Sequence, residues 1–235
     1  MQNADKLRRG LLEICVETLE AAQAAERGGA HRLELCADLR HDGLTPPAEL
    51  MRAVRQRVRI PVYAMIRPRA GDFVYSAEEF AAMREQTKTA RALGMDGLAL
   101  GILTAEGRVD ITRTRRLVHQ AAPLPVTFHR AFDRCGDLYA ALEDVIAAGA
   151  AALLTSGGAP GAPQGAEMIA RLAELAAGRI AIIAGAGINA ANLPGLLARS
   201  RVREIHAGLS SVLPRPQTDF AAFEAEVRAM AALLR

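Results

Sequence analysis

The chain has 235 residues, and its 29 Lys and Arg nearly balance its 26 Asp and Glu, which leaves a formal charge of +3. It contains no run of five like charges and no long apolar stretch, which argues against a nucleic-acid-binding or membrane-spanning protein. Three cysteines without short paired spacing argue against a disulfide framework or a zinc cage, and the polar start at residues 1–9 predicts a cytoplasmic rather than a secreted protein.

Short apolar runs alternate with longer amphipathic stretches along the chain. The runs predict eight β-strands, at residues 11–16, 32–36, 61–66, 97–101, 125–129, 151–155, 180–184 and 204–206. The stretches that follow them predict eight helices, at residues 19–27, 47–56, 77–93, 111–121, 138–147, 165–176, 190–198 and 218–234.

Strands that alternate with helices pair in parallel, because a crossover of a dozen residues is what joins parallel neighbours. Eight such units in a chain of this length predict a (β/α)8 TIM barrel, and a doubly wound open sheet is the alternative. No linker divides the chain, so we predict a single domain over residues 1–235, with a polar tail at about residues 1–10.

Two adjacent predicted strands carry the same Glu-x-Cys pattern. Side chains alternate between the two faces of a strand, and the apolar faces of these strands must cover the helices. Glu13 and Cys15 of the first strand, and Glu34 and Cys36 of the second, therefore point into the barrel. Neighbouring strands lie about 4.8 Å apart, so we expect the two pairs at matching heights and the thiols within a few ångströms of each other.

Other polar residues follow the carboxyl ends of the strands, where barrel enzymes place their active sites. The polar residues are Arg67 after the third strand, and His129 and Asp133 around the end of the fifth. Three glycines lie at corresponding positions, Gly185 and Gly187 after the seventh strand and Gly208 after the eighth. The three glycines are candidates for loops that present backbone N–H groups to a phosphate. His206 either lines the barrel mouth or is structural, and a structural ion-pair layer is the alternative to a site.

The sequence resembles the copper homeostasis protein CutC family in collinear segments from about residue 12 to residue 206. These segments are 13–17 (EICVE), 28–36 (GGAHRLELC), 43–46 (GLTP), 65–73 (MIRPRAGDF), 96–98 (DGL), 127–133 (TFHRAFD) and 154–157 (LTSG). In one departure from the family pattern, the loop after the last strand is short, and Ala207–Ser211 leads into Pro214-Arg215-Pro216.

The resemblance implies a cytosolic barrel, often a homodimer, that is linked to copper tolerance and binds Cu(I). The thiol pair offered for copper in the family corresponds to Cys15 and Cys36, and Cys135 lies in a loop as an incidental thiol. Thiolates are soft ligands, which suit Cu(I).

An enzyme acting on a small anionic metabolite, with lyase or isomerase chemistry, is the alternative function. In this hypothesis Arg67 neutralises an anionic group, and Glu13 or Glu34, with pKa values raised by burial and by each other, serve as acid and base. His129 would shuttle a proton, with Asp133 orienting it or an adjacent group. The copper hypothesis needs only the two thiols, so the additional polar residues favour the enzyme.

Overall fold

The computed structural model describes residues 10–210, 212–213 and 218–235. The predicted tail up to residue 9, Ser211 and the Pro214-Arg215-Pro216 link lie outside the described residues. Eight strands are present in the described part: β1 (Leu11–Val16), β2 (Arg32–Leu35), β3 (Val62–Met65), β4 (Gly97–Leu100), β5 (Val126–Phe128), β6 (Ala152–Thr155), β7 (Ala181–Gly185) and β8 (Glu204–Ala207).

Each strand is followed by a helix: α1 (Leu19–Gly28), α2 (Ala48–Arg57), α3 (Ala77–Ala92), α4 (Ile111–Ala121), α5 (Leu138–Ala148), α6 (Ala166–Ala176), α7 (Leu193–Ser200) and α8 (Phe220–Leu233). The predicted bounds agree closely, and the largest difference is at the start of α7. The Asn189 side chain accepts hydrogen bonds from the N–H groups of Ala191 and Asn192, so a local turn holds these residues before the helix begins.

The strands form a closed parallel barrel in chain order, which confirms the predicted TIM barrel. Closure is made by β1 and β8, where Glu13 lies opposite His206 and Ile14 opposite Ala207. An open sheet would leave these two strands unpaired, so the alternative fold is excluded. Apolar side chains between the strands and the helices form the main core.

The register of β1 and β2 corrects one expectation. Cys15 lies opposite Glu34, and Glu13 lies opposite Arg32, so the two Glu-x-Cys pairs are offset by two residues rather than level. The reason is the stagger that neighbouring strands must adopt when a sheet closes into a barrel. Cys36 therefore lies just beyond β2, one step nearer the barrel mouth than Cys15.

Two short 3-10 turns, Leu39–His41 after β2 and Arg130–Arg134 after β5, were not predicted from the sequence. Both supply side chains to the carboxyl end of the barrel. Among the described residues, no helix is long and apolar enough to span a membrane.

Candidate functional site

A cavity of about 320 Å³ opens at the carboxyl end of the barrel. It lies where barrel enzymes carry their active sites. Its polar lining comes from side chains on many different strands and loops: Cys15, Glu34, Asp42, Arg67, His129, Arg130, Arg134, His206 and Ser210.

The two predicted inward cysteines meet on one wall of this cavity. Cys15 Sγ lies 3.3 Å from Cys36 Sγ, and the Cys36 thiol also lies 3.5 Å from Glu34 Oε2. Cys15 borders the cavity, whereas Cys36 is fully buried behind it. A Cβ at Gly43 would come within 3.0 Å of Cys36 Sγ, and Gly43 has a φ of +85°, so glycine is required beside the thiol.

Glu13 lies below the thiols and is held from two sides. Arg32 forms a buried ion pair with Glu13 Oε2, and His206 Nδ1 lies 2.8 Å from Glu13 Oε1. The Arg32 guanidinium stacks on the Tyr63 ring at 4.4 Å from its centroid. A Cβ at Gly97 would lie 2.5 Å from that ring, so only glycine at position 97 leaves room for the Tyr63 ring.

The two thiols have opposite pKa shifts. The hydrogen bond from Cys36 lowers the pKa of Cys15, burial opposes this, and the neighbouring His206 lowers it further, to about 6. The hydrogen bond to Cys15, together with burial, raises the pKa of Cys36 well above its usual value. At neutral pH the pair is therefore a Cys15 thiolate that accepts a hydrogen bond from a protonated Cys36.

The two carboxyl groups also differ, and one of them contradicts the prediction that both pKa values rise. Burial raises the pKa of Glu34 well above its usual value, as predicted, with further contributions from Cys15 and Glu13. Burial acts on Glu13 in the same direction, but His206 and Arg32 lower its pKa below the usual value. Glu13 is therefore an ionised anchor rather than a general acid.

His206, whose role the sequence left open, belongs to the site. It bridges Glu13 and the thiols, because it also hydrogen-bonds Cys15, and its Nε2 lies 3.8 Å from Glu34 Oε2. Burial lowers the pKa of His206, but Glu34, Cys15 and Glu13 together raise it well above the usual value. The imidazolium supplies the positive charge that stabilises the Cys15 thiolate.

Arg67 and His129 also line the cavity, at the carboxyl end of the barrel where the sequence places them. Arg67 donates to the carbonyl oxygens of His41, Gly43 and Gly71 at 2.7–3.1 Å. His129 Nδ1 accepts a hydrogen bond from the Ala131 N–H at 3.2 Å. Burial and the Arg67 charge lower the pKa of His129 to about 3, so its ring is neutral near pH 7, and its role as a proton shuttle stays a prediction.

Asp133 lies behind the cavity lining. Its carboxylate accepts hydrogen bonds from Arg130 Nε at 3.0 Å and from the backbone N–H groups of Ser156 and Gly158. Of the two predicted roles, the contacts support orientation of an adjacent group, Arg130, which does line the cavity.

The three candidate phosphate-loop glycines do not share one environment. Gly187 and Gly208 line the cavity. Gly185 ends β7, where a Cβ would lie 2.5 Å from Leu154 Cδ1, so packing already accounts for glycine at that position.

Within the described part of the chain, two groups of side chains could hold a metal ion, with ligand atoms within 4.8 Å of one another. One consists of Cys15, Cys36 and Glu34, and the other of Glu13, Glu34 and His206. The second group is already charge-compensated, because Arg32 neutralises Glu13. Sequence reasoning missed Arg32. It lies two residues before Glu34 on the same strand, so alternation places its side chain on the same inward face, and this was a usable signal.

Comparison with known proteins identifies the family of the chain. The chain is 50% identical over 197 residues to a CutC family protein of Chromobacterium violaceum, covering 84% of this chain and 80% of that protein. It is 46% identical to one of Vibrio campbellii over 207 residues, covering 87% and 83%. A crystal structure of a copper homeostasis protein CutC from Streptococcus agalactiae superposes with a TM-score of 0.80 at 31% identity, covering 84% of this chain and 98% of that one. The CutC family model matches residues 10–211, and the chain belongs to the CutC family.

Proposed function

We propose that the protein binds Cu(I) through Cys15 and Cys36, in the copper homeostasis role that its family name carries. The proposal rests on one observation: two thiols lie 3.3 Å apart, and one of them, Cys15, lines an open cavity. Thiolates are among the ligands that select Cu(I) over harder ions.

The surroundings of the thiols support this chemistry. Metal binding requires thiolates, and the low pKa of Cys15, about 6, supplies one before any ion arrives. Cys36 must lose its proton on binding, and Glu34 Oε2 lies 3.5 Å from its sulfur. Because Cys15 borders the cavity and Cys36 does not, the ion would reach Cys15 first.

A reducing compartment is required for such a pair, because an oxidising one would favour a disulfide between neighbouring thiols. We therefore expect the protein to act in the cytoplasm. The alternative, an enzyme acting on a small anionic metabolite, would depend on the other polar residues of the cavity rather than on the two thiols.

The test is an anaerobic Cu(I) titration against a competing chromophoric chelator. We expect one Cu(I) per chain in the wild type and a large loss of affinity in Cys15→Ser and in Cys36→Ser. Cys135→Ser is the matched control, because Cys135 lies outside the cavity lining and should leave the titration unchanged. Wild-type affinity in the Cys15→Ser/Cys36→Ser variant would refute the proposal.

A further inference from the structure

The cavity is larger and more polar than a two-thiol copper site requires. Its volume of about 320 Å³ lies in the range of small-molecule pockets, roughly 300–1,000 Å³. Cys15, Glu34 and His206 occupy one side of it, which we call the thiol side. The other side carries Arg67 and His129, with Arg130 and Arg134 also in the lining, and we call it the cationic side.

Arg67 is a buried charge without a counter-ion. Its residue is only 4% exposed, and its hydrogen bonds go to three backbone carbonyls. In the described part of the chain, no carboxylate lies within ion-pair distance of it, and its Nε–H has no acceptor. Burying an uncompensated charge costs several kcal/mol, and an anion bound beside Arg67 would offset part of that cost.

His129 is a second buried donor without an acceptor. Because Nδ1 accepts a hydrogen bond from the Ala131 N–H, the single proton of the neutral ring lies on Nε2. His129 is 4% exposed and lines the cavity, yet among the described residues its Nε2 has no hydrogen-bond partner. The Phe73 ring lies against both groups, 5.0 Å from Arg67 Cζ and 5.1 Å from the His129 ring centre.

The loops that complete the rim have unusual backbone conformations. Ala186 after β7 and Leu209 after β8 have φ values of +86° and +56°, and both line the cavity. Residues other than glycine rarely adopt these conformations, which cost about 1–3 kcal/mol each and cluster at ligand sites. The strain therefore supports a site in which this rim contacts a ligand.

We propose that the cationic side binds the anionic group of a small organic metabolite, a carboxylate or a phosphate, through the Arg67 guanidinium and the His129 Nε2–H. This site is independent of copper binding, because neither Arg67 nor His129 belongs to the thiol cluster. Asp42, also in the lining, and Glu34 are the acidic groups that such a ligand must avoid.

Calorimetric titration of the whole protein with inorganic phosphate in one arm and malonate in the other tests the proposal and identifies the preferred oxyanion. We expect saturable one-to-one binding of at least one of them. His129→Asn keeps an acceptor near the Ala131 N–H but removes the Nε2 donor, and we expect it to weaken binding about tenfold or more. Arg67→Lys keeps the charge but removes the Nε–H, and should also weaken it.

Two controls separate this site from other binding. Arg108→Ala removes an exposed arginine outside the cavity lining and should leave binding unchanged. Cys15→Ser should lose Cu(I) but retain the anion, so the copper and anion proposals can fail separately. Absence of saturable binding to either probe, or binding that is equal in the wild type, His129→Asn and Arg67→Lys, would overturn the proposal.

Discussion

Arg32 and Glu13 neutralise each other inside the barrel, and His206 is positioned on the same carboxylate. Both members of the ion pair are nearly inaccessible to water. In such a pair, removal of one partner leaves the other as an uncompensated buried charge. The pair thus fixes the lower boundary of the site, while the thiols above it remain available for chemistry.

Glu13→Gln should therefore be strongly destabilising. The amide cannot compensate Arg32, and we expect a loss of about 3–5 kcal/mol in the free energy of unfolding, measured by urea titration. Glu143→Gln is the matched control, because Glu143 pairs with Arg179 at the exposed surface and its loss should be small. Equal effects of the two substitutions would contradict the buried role of Glu13.

Because of His129, we expect the free energy of unfolding to fall as the pH is lowered. The folded protein keeps this ring neutral down to a pKa of about 3, whereas the unfolded chain protonates it near the ordinary value of 6.5. Below pH 6.5 the unfolded state binds more protons, so stability falls as the pH falls, by at most about 1.4 kcal/mol per pH unit from this group.

Comparison of the wild type with His129→Asn isolates this contribution. Urea unfolding near neutral pH and near pH 5 should show a larger loss for the wild type than for the variant. If both proteins lose the same free energy between the two conditions, His129 is not the responsible group.

At the scale of the elements, β4 determines where β5 can place His129. A Cβ on Gly101, which follows β4, would lie 2.6 Å from the imidazole ring, closer than real Cβ contacts permit. Gly101→Ala should therefore displace the ring and weaken anion binding by a margin similar to that of His129→Asn. Gly136→Ala, at a position with open space, is the control, and the test is the same calorimetric titration of each purified variant.

Properties local to one strand could be predicted from the sequence, whereas the alignment between strands could not. Hydrophobic alternation identified every strand and placed Glu13, Cys15 and Glu34 inside the barrel, because the period of a strand is a local property. The heights of Cys15 and Cys36 could not be predicted, since the stagger between strands arises only when all eight close. The prediction of a raised pKa for Glu13 was wrong for a related reason, because His206, which lowers this pKa, is 193 residues away in the sequence.

The polar residues around the mouth also separate into local and non-local cases. Arg67 and His129 were predicted because each follows an apolar run that ends at the active face of a barrel. The carbonyl oxygens that hold Arg67 come from the loops after β2 and β3, and the space for His129 comes from Gly101. Neither contact has a signature in the sequence near the residue that it positions.

For the whole molecule, the family resemblance predicts a homodimer. Light scattering over a dilution series should give a mass near twice the 25.0 kDa of one chain. A constant mass of one chain across the series would contradict this expectation.

The segment before β1 and the last helix, α8, also contact each other across the closure of the barrel. The Gly10 N–H donates to the Leu234 carbonyl at 2.8 Å, and α8 packs on α1 so closely that a Cβ at Gly28 would lie 2.8 Å from Val227. The first and last segments of the described chain are therefore in direct contact. A circular permutant that joins these two segments and opens at Gly178, in the turn between α6 and β7, would leave the loops that line the cavity uninterrupted, because they lie at the opposite ends of the strands.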